Sequence, residues 1–205
     1  MPQFILYASS TDSSDESKLP EEKRIREELA NAFPLAIQQD ALIAISALTE
    51  NRFSSRWQTL SLRLGYELLA LPQRIYYAPP VHQTLQLSTL QMQILDCLFT
   101  RHHDGFVRQT HLARIIRSRN AWIPHFVVPL VGEYVVEILQ VICENLIYLE
   151  MSIYAEFLRS NPEFLELTEK RVLSYWDCYY RSIKKHEYPG FVILDFFKSI
   201  TKSTT

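Results

Sequence analysis

Glycine is scarce. Only Gly65, Gly105, Gly132 and Gly190 occur in 205 residues. All-β proteins and doubly wound nucleotide-binding folds ordinarily need more turn glycines than this. Neither a Gly-x-Gly-x-x-Gly loop nor a phosphate loop ending in Gly-Lys-Ser/Thr is present, which removes the commonest nucleotide sites. Cysteine is scarce too. Cys97, Cys143 and Cys178 make an odd count, with no pair at the two-residue spacing of metal ribbons and redox motifs. Each lies in an apolar helical pattern, where cysteine behaves as a small buried hydrophobe and points to a reducing compartment. Charge of one sign is also missing. Twenty-one Lys and Arg face 23 Asp and Glu, for a net charge of −2 and a pI near 6.3, so nothing draws the whole chain to nucleic acid or to an anionic membrane. No run of about 18 uncharged apolar residues occurs, and the N-terminus lacks the basic start and full apolar core of a signal peptide. A cytoplasmic protein without a membrane span is the expectation.

Apolar residues form 47% of the chain, the ordinary globular share. Residues 1–19, rich in Ser, Asp and Glu, read as a polar tail. Residues 20–200 read as one helical domain, with candidate subdomains 20–72 and 86–200, and 201–205 as a second tail. The class expected is all-α, a bundle of about nine helices with no strand pair. Two forms of it are open: solenoid-like stacking, or a helix-turn-helix-like centre.

The helices are placed by their apolar period and their caps. Pro20, Glu21 and Glu22 suit the start of a first helix reaching about Phe33, and Leu35 to about Thr49 is a second. Trp57, Leu60, Leu64, Leu68 and Leu71 recur at helical spacing and predict a third. It is apolar nearly all round and therefore central, with Gly65 admitting a close neighbour. Pro72 ends it, and the proline-flanked stretch 74–81 reads as extended. Ser88 caps a helix over 90–100, and 106–118 holds the next. A long helix over 129–146 carries Val131, Tyr134, Val135, Ile138, Leu139, Ile142 and Leu146 as its core stripe. Segments 152–159, 162–185 and 191–200 complete the set. Glu166 with Lys170, and Asp177 with Arg181, are favourable four-apart pairs.

Three clusters could carry chemistry. His102-His103-Asp104-Gly105 sets two imidazoles beside a carboxylate, a combination able to bind a metal or move a proton. It resembles the signature of condensation-type acyltransferases, two histidines, three residues and then Asp-Gly, without the three residues. It also resembles the dyad of His-Asp metal phosphohydrolases, where His82 and Asp177 would be the outer ligands; there the dyad continues along a helix, whereas here glycine follows. As a turn, Gly105 would close the preceding helix in left-handed geometry and the histidines would answer its negative end. No metal and no cofactor is expected.

The second cluster is Arg101, Arg108, Arg114, Arg117 and Arg119, with Asp104 as the one acid of the stretch. Its helix-turn-helix layout resembles DNA-binding cores, and arginines at this density could neutralise phosphates. The helix after it, however, carries Glu133, Glu137 and Glu144. Glu133 and Glu137 repel unless cations answer them, so a close pair between an arginine of 108–119 and one of these glutamates is expected. The segment 106–143 also resembles one HEAT-type helix pair, without recurring at a fixed period. The third cluster, Tyr175, Trp176 and Tyr180 in Tyr-Trp-Asp-Cys-Tyr-Tyr-Arg, points all round a helix. Such residues anchor interfaces or crowd a core. The leading expectation is a non-catalytic interaction or regulatory module with a protein partner. The alternatives are a helix-turn-helix DNA-binding protein and a metal- or histidine-dependent enzyme around His102, His103 and Asp104.

Overall fold

A computed structural model describes residues 18–48, 58–79 and 86–202. Within them the chain is mostly helical with one small sheet. The elements are α1 (Lys18–Ala30), α2 (Gln38–Ser46), β1 (Thr59–Leu64), β2 (Glu67–Pro72), α3 (Thr89–Phe99), α4 (Gly105–Ile115), α5 (Pro124–Val131), α6 (Val136–Asn145), α7 (Met151–Ser160), α8 (Pro162–Tyr179) and α9 (Pro189–Lys202). Ser88 opens α3 with a reciprocal cap: its hydroxyl accepts from Gln91 N–H at 3.2 Å, while its own N–H donates to Gln91 Oε1 at 3.0 Å.

The predicted third helix is instead a β-hairpin. β1 and β2 pair antiparallel from Thr59↔Pro72 to Leu64↔Glu67, around the two-residue loop Gly65-Tyr66. Gly65 has φ +56°, a conformation that only glycine adopts without strain and that tight hairpin loops need. No atom would meet an added Cβ there within 4 Å, so its role is the turn and not a close neighbour. The leucines also fit a period of two. Leu62, Leu69 and Leu71 are buried, whereas Thr59, Ser61, Arg63 and Leu68 are exposed. Tertiary hydrogen bonds favour the strand form. Ala70 N–H donates to Asn31 O at 2.8 Å, and Arg63 N–H donates to Asn161 Oδ1 at 2.7 Å. Trp57 lies outside the described residues.

The centre is α5. Every residue from Pro124 to Val131 is buried, and α5 packs against α6, α7 and α8. The predicted continuous helix over 129–146 breaks at Gly132–Val135. Val135, with ψ 102°, is extended and starts α6. An added Cβ on Gly132 would lie 3.2 Å from Arg171 Cδ, so glycine here lets α8 approach closely. The corner turns Glu133 inward and leaves Tyr134 and Glu137 exposed, which removes Tyr134 from the expected core stripe. Tyr179 is likewise exposed on α8. Side chains from α1 to α9 and the hairpin share one hydrophobic cluster. No helix among the described residues is long and apolar enough to cross a membrane.

Candidate functional site

The extended stretch after β2 is tied to the end of α3. Ile75 N–H donates to Arg101 O at 2.9 Å, and His103 N–H donates to Ile75 O at 3.0 Å. Arg101 secures the same stretch through Nε to Pro72 O at 3.2 Å and Nη2 to Gln73 O at 3.0 Å. Arg108, from the first turn of α4, donates from Nη1 to His102 O at 2.8 Å and to His103 O at 2.9 Å. Three chain segments are thus held by two arginine side chains, of which only 5% and 3% is exposed.

Glu133, 7% exposed, is driven into this group by the α5–α6 corner. Its oxygens lie 2.9 Å from Arg108 Nε, 3.0 Å from Arg74 Nη1 and 3.6 Å from Arg101 Nη1. None of these contacts forms a hydrogen bond, so charge attraction carries them. The expected pairing of an arginine in 108–119 with Glu133 is therefore present, whereas Glu137 stays exposed. Burial lowers the Arg101 guanidinium to about 10; Glu133 opposes that shift, and Arg74, Arg108 and Arg171 add to it. One carboxylate thus faces an excess of positive charge.

The other predicted arginines go elsewhere. Arg114 lies 3.1 Å from Asp96, Arg117 donates to Asn145 Oδ1 at 2.7 Å and covers the Tyr148 ring at 4.2 Å, and Arg119 lies 3.7 Å from Glu150. A DNA-reading surface requires these side chains together on one open face. Arg101 and Arg108 are buried, and α5, which follows α4, exposes no residue.

The His102-His103-Asp104 cluster serves the turn, though not as expected. Gly105 does not close α3 in left-handed geometry; it is the first residue of α4, which Asp104 caps by accepting from Phe106 N–H at 2.8 Å. His102 is buried, and its Nδ1 accepts the Asp104 N–H at 3.1 Å. Burial first, and the neighbouring His103 second, hold this imidazole below its ordinary pKa. His103 is exposed and stacks on Tyr76, with ring centres 4.9 Å apart. His82, one outer residue of the phosphohydrolase resemblance, lies outside the described residues, and Asp177 is occupied by Arg181 at 2.6 Å. No group of three or more His, Cys, Asp or Glu gathers at metal-binding distance among the described residues.

The aromatic cluster divides. Trp176 turns toward α9: its indole N–H donates to Ile183 O at 2.8 Å, and its ring meets Phe191 at 5.9 Å. Tyr180 donates its hydroxyl to Tyr134 O at 2.8 Å, clamping α8 to the corner. Tyr175 stays near the surface, with ring centres 6.0 Å from Tyr134 and 6.4 Å from Tyr179; Tyr134 and Tyr179 are themselves 6.4 Å apart. Tyr134 is 56% and Tyr179 68% exposed. Arg101 and Arg108 are therefore brought together with Tyr175 and Tyr180 through the adjacent residues Glu133 and Tyr134.

Two arrangements escaped the sequence reading. His111 Nδ1 lies 2.6 Å from Asp96 Oδ1 while its ring stacks on Phe99 at 4.9 Å. Asp96 amid the apolar residues of α3 was the signal for it. The adjacent Cys97 is buried, and burial together with Asp96 pushes its thiol well above the ordinary range. His125, fully buried in α5, meets Arg63 O through Nε2 at 2.9 Å and borders a cleft of about 170 Å³ near the hairpin tip. Burial lowers its pKa to about 4. That volume is small beside an ordinary ligand pocket.

Comparison with protein-family models, with curated proteins and with solved structures yields no match.

Proposed function

We propose that this chain is a non-catalytic protein-interaction module that binds its partner at the corner between α5 and α6. The observation carrying this reading is the exposed pair Tyr134 and Tyr179, flanking the half-buried Tyr175 on the junction of two helices and α8. Tyrosine gives large, stiff contact area at low entropic cost, and it is enriched among residues that dominate binding energy. The Tyr180–Tyr134 hydrogen bond and the close seat of α8 at Gly132 support the same view, since a preformed surface loses little freedom on binding. A cytoplasmic setting belongs to this proposal and agrees with three free cysteines, Cys178 among them at the surface.

The test is co-purification of the tagged chain with its partner from source cells. The double substitution Tyr134→Ala/Tyr179→Ala should reduce partner recovery by about 30-fold, equivalent to roughly 2 kcal/mol of hot-spot energy, with the melting temperature unchanged. Tyr66→Ala, at the exposed hairpin tip, should leave recovery intact. Full recovery with the double variant overturns the proposal.

A further inference from the structure

The connection between α8 and α9 carries a lysine whose charge is met by aromatic rings. Lys185 Nζ lies 4.9 Å from the centre of the Trp176 ring and 5.7 Å from that of Phe191. Both distances fall within the reach of attraction between a cation and a ring face. The two rings stand 5.9 Å apart at 70°, so they form the walls of a corner with the ammonium close to both. Each wall is fixed by a neighbour. The Trp176 indole N–H donates to Ile183 O at 2.8 Å, and the buried Tyr188 packs edge to face on Phe191 at 5.9 Å. Trp176 and Phe191 are half-buried, whereas Lys185 is exposed. No carboxylate pairs with Lys185 among the described residues; Glu187, two positions on, meets Lys184 at 3.5 Å and His186 at 3.4 Å instead.

We infer that the corner of Trp176 and Phe191 is a binding site for a methylated ammonium group, which Lys185 occupies in the free chain. A primary ammonium is compact and strongly hydrated, so leaving water for the rings costs it much of what they return. Methyl groups spread the same charge over a larger and weakly hydrated surface, and aromatic faces recognise such groups well. Trp176 supplies the better ring face and Phe191 the second wall. A methylated ammonium, on a free quaternary amine or on a modified lysine of another protein, therefore displaces Lys185. The displaced side chain returns to solvent at little cost, because it is already exposed. Lys185 is thus a tethered competitor that keeps ordinary lysines out and yields to a ligand the rings hold better. The inference does not rest on the partner surface at Tyr134 and Tyr179.

The test is titration of the full chain with tetramethylammonium chloride, followed by the NMR signal of the Trp176 indole N–H. Neopentyl alcohol serves as an uncharged control of similar shape, and sodium chloride as the control for ionic strength. Tetramethylammonium should shift the signal saturably, and neither control should. Lys185→Gln should bind about three- to sixfold more tightly, since one exposed contact of this kind no longer competes. Phe191→Leu should lose most of the binding, while Lys198→Gln binds like the parent; should Phe191→Leu fail to fold, Lys185→Gln decides alone. Choline and the N-acetyl amide of trimethyl-lysine then separate the sources. Tighter binding of choline supports the site with a free amine as ligand, and tighter binding of the lysine derivative supports it with a modified protein side chain. No saturable shift beyond the chloride control, an equal shift with neopentyl alcohol, or unchanged affinity in Lys185→Gln overturns the inference.

Discussion

Arg108 Nε stands 2.9 Å from Glu133 Oε2, linking the first turn of α4 to the corner between α5 and α6. The same guanidinium holds two carbonyls at the end of α3, so one side chain fixes three neighbouring segments. The corner that buries Glu133 presents the next residue, Tyr134, to the outside. Core charge pairing and the exposed aromatic surface are thus consequences of one backbone turn.

Removing Glu133 should therefore be severe. It would leave Arg101 and Arg108 buried without their carboxylate, and breaking such a pair typically costs about 3–5 kcal/mol. Glu133→Ala should lose that much in denaturant unfolding, whereas the exposed Glu137→Ala should stay within about 0.5 kcal/mol. Equal losses at the two positions would show that the cluster does not hold the corner.

At the hairpin, Gly65→Ala should cost about 1–2 kcal/mol, since an alanine at φ +56° is strained while the space around it is open. Tyr66→Ala, beside it, should be nearly neutral. Urea midpoints of the two variants decide this, and a neutral Gly65→Ala would contradict the tight turn.

His125 makes stability depend on pH. Its pKa falls from the ordinary 6.5 to about 4 on folding, so between these values the unfolded chain binds more protons than the folded one. Its contribution is fully present above about pH 6.5 and is lost as pH falls toward 4, by about 3 kcal/mol in all. Stability curves of the parent chain and His125→Gln should therefore differ in slope across that window. Parallel curves would mean that the imidazole is not desolvated.

The three thiols should separate by burial. At pH 8, Cys178 should react readily with a disulfide reagent, Cys143 slowly, and Cys97 only on unfolding, since Cys97 is buried and Cys143 is raised to about 11 chiefly by burial. Rapid native-state reaction of Cys97 would contradict the packing of α3.

Much of this was legible wherever local pattern and tertiary context agree. The apolar stripes of α6, α7 and α9 follow a helical period, Ser88 marks a cap, and Glu166–Lys170 forms at 2.6 Å as four-apart spacing predicts. The hairpin was misread because Leu60, Leu64, Leu68 and Leu71 satisfy a helical period while Leu60, Leu62 and Leu64 satisfy a strand. The deciding contacts come from Asn31 and Asn161, remote in sequence. The α5–α6 corner was hidden by an apolar stripe that continues through it, with Gly132 its one local sign. Opposite charge exposed the pairing of the arginines with Glu133. The aromatic surface was legible only in part, because Tyr134 joins it solely when the helix breaks.

The most direct measurement is site-specific photocrosslinking in source cells from a photoreactive residue at position 179, compared with the same residue at position 66 on the hairpin tip. If the α5–α6 corner is the binding surface, position 179 gives one discrete protein adduct that Tyr134→Ala weakens and position 66 does not form. An identical adduct pattern from both positions, or no adduct from position 179, would contradict it.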